Sequence, residues 1–189
     1  MADAQRGRGP AAPPPVGVVY NTGMSRPDAA LALAMLHAMA DQRLARVGSV
    51  CVTGAGLETA IFCDMVGRVF VPGERNGNQA LAVGLALMDP MPADPPMIRP
   101  AVARKKPTGE PEFIRGIKGV ADTSQAEAVL RNGVLFNAES VVVLSAPATT
   151  LARTLDLAGA RDEYARRVKR LVIDQPGVYE NLLIDGEGA

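Results

Sequence analysis

VGVVYNTGMSRPDAALALAMLHAMADQ, residues 16–42, is the stretch that decides the fold. Its first five residues, Val16 to Tyr20, form a short apolar run of the kind a buried strand needs, and Pro27 to Gln42 is dense in Ala, Leu and Met over a helical length. Asn21 to Arg26 reads as the turn between them. A strand, a loop and a helix in that order build a parallel sheet when they repeat.

They do repeat. Val47 to Thr53 reads as a buried strand, Gly54-Ala55-Gly56 as a turn, and Leu57 to Phe70 as a helix with Ile61, Phe62 and Met65 on one side. Gln79 to Leu87 offers a third strand. Met88 to Gly119 is rich in proline, carries the basic cluster Arg104-Lys105-Lys106 and has little periodicity, so a long surface excursion is expected there. Ser124 and Glu127 have the spacing of a capping box, at the head of a helix running to about Val134. The strand Ser140 to Ser145, helical segments at Thr149 to Leu157 and Arg161 to Lys169, and a last strand from Arg170 to Ile173 complete the series. Near-continuous apolar strands alternating with helices predict an open, mainly parallel, Rossmann-like α/β sheet with helices on both faces. Ligands of such sheets bind beyond the carboxyl ends of the strands, which directs attention to Asn21, Thr53, Ser145 and Asp174.

Composition narrows the classes of partner. The 189 residues are 48% hydrophobic, enough for one core, and 20 Lys and Arg balance 20 Asp and Glu. No net field draws the chain to nucleic acid or to an anionic membrane, so a small molecule or another protein is expected. The two cysteines, Cys51 and Cys63, lie in apolar runs and make neither a disulfide framework nor a zinc spacing. Residues 1–15 are rich in Ala, Pro and Gly and read as a flexible leader before one domain at 16–189. No stretch reaches the roughly 18 uninterrupted apolar residues of a spanning helix, and a cytoplasmic location is expected.

Val18 to Leu33, with the loop Asn21-Thr22-Gly23-Met24-Ser25-Arg26-Pro27-Asp28, resembles the first strand, aspartate loop and first helix of the inosine-uridine preferring nucleoside hydrolases. In that family the loop reads Asp-Thr-Asp, a few residues, then Asp-Asp-Ala-Leu-Ala-Leu. Val50 to Leu57 resembles the second strand and its turn, Val141 to Ala152 an apolar strand followed by Gly-Pro-Leu-Thr-Asn-Leu-Ala, and Arg167 to Ile173 a later strand. Glu180 to Ala189 is similar to the segment Phe-Asn-x-x-x-Asp-Pro-Glu-Ala-Ala. The resemblance covers the family's amino-terminal part, and a truncated or divergent copy is the expectation.

The resemblance implies hydrolysis of the N-glycosidic bond of ribonucleosides, with a calcium ion orienting water and the ribose hydroxyls. Carried over by position, Asp28 becomes the catalytic carboxylate, Asp28 and Asn21 the metal ligands, and Asn21, Ser145 and Asn181 the contacts to substrate. The chain departs from the pattern at several points. Asn21 replaces the first aspartate, Gly23 the second, Ala29 the second member of the Asp-Asp pair, and Ala55 a ribose-contacting asparagine; Tyr179 replaces a glutamate, with Glu180 displaced by one. Calcium takes 6 to 8 oxygens, several of them carboxylate, and the loop offers far fewer. The readings are therefore a nucleoside hydrolase-like protein with weak or no turnover, or a non-catalytic ribose- or nucleoside-binding or assembly module, with a homo-oligomer possible.

Each residue also has a plainer reading. Ser25 to Asp28 has capping-box spacing with proline near the first helical position, which accounts for Asp28 without a metal. Asn21 is a common turn residue, His37 reads as a core or rim histidine, and Arg104 to Lys106 as a solvated loop. Gly54-Ala55-Gly56 invites a dinucleotide-binding reading, although Thr59 falls where its third glycine belongs.

Overall fold

The computed structural model describes residues 15–70, 81–86 and 94–174. Residues 1–14 of the expected leader at 1–15, and Asn181, Tyr179 and Glu180, lie outside these residues. Six strands form one sheet, β1 Val16–Thr22, β2 Ala45–Val52, β3 Ala82–Leu85, β4 Ser124–Gln125, β5 Ser140–Ser145 and β6 Val168–Ile173, in the order β4-β3-β2-β1-β5-β6. Every neighbouring pair is parallel. The expected α/β sheet is the one observed.

Helices cover both faces. On one side α1 Pro27–Asp41, α2 Leu57–Phe70 and α3 Ile98–Ala103 bury Ala29, Leu33, Ile61, Met65 and Ile98 against Tyr20, Val50, Val52 and Leu85. On the other, α4 Ala126–Leu135, α5 Thr149–Leu155 and α6 Ala160–Arg167 bury Val129, Leu130, Leu151 and Tyr164 against Val19, Cys51, Val142 and Leu144. The pleat assigns these faces, because alternate residues of a strand point to opposite sides. A register shift after Val18 skips Gly48, the irregularity a glycine in a strand commonly marks.

Several sequence expectations are corrected. Neither capping box forms: α1 starts behind Arg26 and α4 behind Gln125, and neither residue caps its helix with a side-chain hydrogen bond. Ser124 instead belongs to β4, a two-residue strand pairing with Gly84 and Leu85. α6 gives way directly to β6, so Val168 and Lys169 are strand rather than helix. The excursion is also more structured than expected where it is described. It contains α3, and Lys105 bridges Pro111 around a turn at Gly109, where φ is +86°.

Two carboxylates fasten that excursion to α2. Asp64 is buried, receives the Nε–H of Arg68, and accepts the backbone N–H groups of Gly116 and Ile117. Asp94 Oδ1 accepts from Gly56 N at 3.0 Å, Thr59 N at 2.9 Å and Thr59 Oγ1 at 2.7 Å. It thereby fills the amino terminus of α2. That overturns the dinucleotide reading of Gly54-Ala55-Gly56, since the anion position is taken by the chain's own carboxylate. A Cβ on Gly56 would come within 2.6 Å of Asp94 Oδ2, so this glycine makes room for aspartate.

Candidate functional site

The strand order reverses between β1 and β5. From β1 the chain moves outward through β2 to β4, then returns to place β5 on the other side of β1. In doubly wound sheets ligands bind in the crevice outside the carboxyl ends at this switch point. Here the loop after Thr22, the turn after Val52 and the turn after Ser145 meet at that point, and Met24, Thr53 and Ser145 are buried there.

Asn21 is the next-to-last residue of β1 and is fully buried. Its register partners are Cys51 on β2 and Leu144 on β5, which places its side chain on the face covered by α4, α5 and α6. Among the described residues neither Oδ1 nor Nδ2 has a hydrogen-bond partner. A buried amide left unpaired costs roughly 1–3 kcal/mol, so its presence in a strand otherwise filled by apolar groups requires a reason.

Ser145 has a different role. It stands beside Thr22 in register and so on the opposite face from the Asn21 side chain. Its Oγ donates to Tyr20 Oη at 2.8 Å, and that phenol donates to the carbonyl of Ala29 at 3.0 Å. The chain of hydroxyls ties β5 to β1 and β1 to the first turn of α1. Burial pushes the Tyr20 phenol above its ordinary value, which keeps it a donor. Thr53 and Thr150 share a hydrogen bond of 2.6 Å that ties the end of β2 to α5.

The loop itself is tightly constrained. Met24 N donates to Thr22 Oγ1 at 3.0 Å, and Met24, buried, adopts a positive φ of 49°. A Cβ on Gly23 would lie 2.8 Å from the carbonyl oxygen of Thr53, so the position of the family's second aspartate has no space for a side chain. Ala29, at the place of the second Asp of the pair, is packed in the core. Asp28 alone presents a carboxylate. Arg26 grips it through Nε to Oδ1 at 3.0 Å and through Nη2 to Oδ2, and Ala29 N also donates to Oδ1 at 3.0 Å. The hydrogen-bonded guanidinium holds the Asp28 carboxyl below its usual range. Arg26 Nη2 also lies 3.7 Å from Oδ2 of Asp174, just past the end of β6, where Asp174 N donates to Leu144 O at 2.8 Å.

This donor set does not suit calcium. The described residues include no group of three or more His, Cys, Asp or Glu side chains placed to hold a metal. The one loop carboxylate has both oxygens engaged by a fixed cation, and Asn21 presents its amide on the far face of β1. His37 is buried against Phe70, ring centroids 6.1 Å apart, and far from this loop along α1. Arg104 pairs with Glu112 and lies over the Phe113 ring.

Sequence reasoning passed over Arg26, Asp64 and Asp94. The partners that reveal them are in part supplied by the fold: Asp174 for Arg26, the Gly116 and Ile117 N–H groups for Asp64, and Gly56 and Thr59 for Asp94. A separate cavity of about 400 Å³ opens at the amino ends of β2 and β3, lined by Arg46, Ser49, Ser124, Asn132 and Phe136, at the end of the sheet opposite the switch point. None of Asn21, Asp28 and Ser145 lines it.

The fold thus defines a doubly wound α/β protein, with the candidate residues at the switch point of its strand order. No family model matches this chain, and no curated protein sequence matches it. A solved structure that is similar to it is that of the type III effector protein XopQ complexed with adenosine diphosphate ribose, at 14% identity and a TM-score of 0.49, over 85% of this chain and 44% of that one. The chain therefore spans less than half the length of that neighbour. No helix of the described residues is long and apolar enough to cross a membrane.

Proposed function

We propose that this chain is a nucleoside hydrolase-like protein that binds a ribose or ribonucleoside at the switch point and hydrolyses the N-glycosidic bond weakly or not at all. The sequence resemblance across four strand-and-turn segments supports the class. The observation that carries ligand binding is the Asn21 amide, buried at the strand end with both polar atoms unpaired among the described residues. A sugar hydroxyl both donates and accepts, so it complements an amide that has one of each to offer.

The same loop argues against strong turnover. Cleavage of a ribosyl bond develops oxocarbenium character and needs a carboxylate to take a proton from water. Asp28 is held ionised by Arg26, and a carboxylate of lowered proton affinity is a weak base. Asn21 is 0% exposed, so ligand entry requires the residues over it to move. Association should then be slow, at or below roughly 10⁵ M⁻¹s⁻¹.

Isothermal titration with ribose, inosine and uridine, paired with an assay for released base, tests this reading. Saturable binding with little or no base release is expected, and Asn21→Leu, close in shape but without polar atoms, should abolish it. Full-rate base release, or binding unchanged in Asn21→Leu, would overturn the reading. A second reading as an assembly module has its own observation: among the described residues β6 is an edge strand, with four of its six residues exposed. A defined oligomer by light scattering, with no response to any sugar, would favour it.

A further inference from the structure

We infer that Arg26 stands where a divalent cation would stand in this loop, its guanidinium spanning Asp28 and Asp174 across the ends of β1, β5 and β6, so that the loop is complete without metal. The inference concerns the loop alone and does not depend on which sugar binds.

Four positions carry it. Gly23 has no room for a ligand side chain, because a Cβ would meet Thr53 O at 2.8 Å. Ala29 faces the core, where an ionised carboxylate would be buried without a partner. Asp28 accepts the guanidinium of Arg26 with both oxygens. Asp174, brought to the same place by the pairing of β6 with β5, faces the same Nη2 at 3.7 Å, an ion pair rather than a hydrogen bond.

One cation between two carboxylates is the arrangement a metal would otherwise supply, with a covalently tethered charge in place of a free ion. Arg suits it, being always charged and offering donors in a planar fork that matches a carboxylate. Calcium could enter only by displacing that fork and would keep the guanidinium as a like-charged neighbour. With the fork removed, Asp28 and Asp174 offer up to four carboxylate oxygens, and water can complete the 6 to 8 that calcium takes.

The test is equilibrium dialysis of the EDTA-stripped full chain against radioactive calcium, up to about 1 mM, the weak end of natural calcium sites. Wild type, Arg26→Ala, Arg26→Gln and the double variant Arg26→Gln with Asp28→Asn are compared, each checked for folding by circular dichroism. The expected result is no uptake by wild type, saturable uptake by the Arg26 variants, and loss of that uptake when Asp28→Asn is added. Saturable uptake by wild type overturns the inference. Silence in every variant also overturns it, since the loop would then hold no cation position for Arg26 to fill. No nucleoside is present, so either failure is distinct from a failure of ribose binding.

Discussion

Asn21 is the residue on which the functional reading turns, because among the described residues no partner accounts for a buried amide between Cys51 and Leu144. If the amide is held for a ligand, the free protein bears its cost. Asn21→Leu should therefore raise stability by about 1–2 kcal/mol in urea unfolding while losing sugar binding; a loss of stability would mean that the amide has a structural partner. Gly23 argues the other way, for shape rather than chemistry. Gly23→Ala should destabilise by about 1–3 kcal/mol, because the Thr53 carbonyl must give way, and thermal unfolding that matches wild type would show that the loop relaxes freely. His37 titrates below its ordinary value of 6.5 because burial disfavours the imidazolium. The unfolded chain then takes up a proton first, so stability should fall as pH drops from near 6.5 toward the lower folded value and level off beneath it. Melting curves should show that decline in wild type and a flatter profile in His37→Leu; identical profiles would remove the assignment to His37.

At the scale of elements, apolar runs made β1, β2, β5, α1 and α2 legible, since a strand buried on both faces has to be written largely in apolar residues. What was not legible depended on contacts made in space. β4 has two residues, too few for any period, and exists because Gly84 allows α4 to come close: a Cβ there would meet Ala126 Cα at 2.8 Å. The capping boxes had correct spacing and formed no caps, because Arg26 turned to Asp28 and Gln125 began α4 directly from a strand. Asp94 fills the α2 terminus from 38 residues away, which no local pattern records. Asp64 belongs to this class too. Asp64→Ala would strip two backbone N–H groups and Arg68 of their acceptor, costing about 3 kcal/mol. Limited proteolysis should then cut the excursion between residues 104 and 118 sooner than in wild type; unchanged cleavage would mean that Asp94 alone secures it.

The whole molecule places its chemistry by topology. The strand order reverses between β1 and β5, and the pairing of β6 beside β5 brings Asp174 to Arg26. The sequence resemblance pointed to this same edge of the sheet, and to Asn21, Asp28 and Ser145. It could not show that Ser145 spends its hydroxyl on Tyr20, or that Asp28 is already matched with a cation. The central claim is that a ribose-bearing ligand engages the Asn21 amide without metal. The most direct measurement is the side-chain NH₂ resonance of Asn21 in a ¹⁵N-labelled sample, titrated with inosine in EDTA. Saturable movement of that resonance is the expected result. A resonance that stays still in EDTA, or moves only once calcium is added, would contradict it.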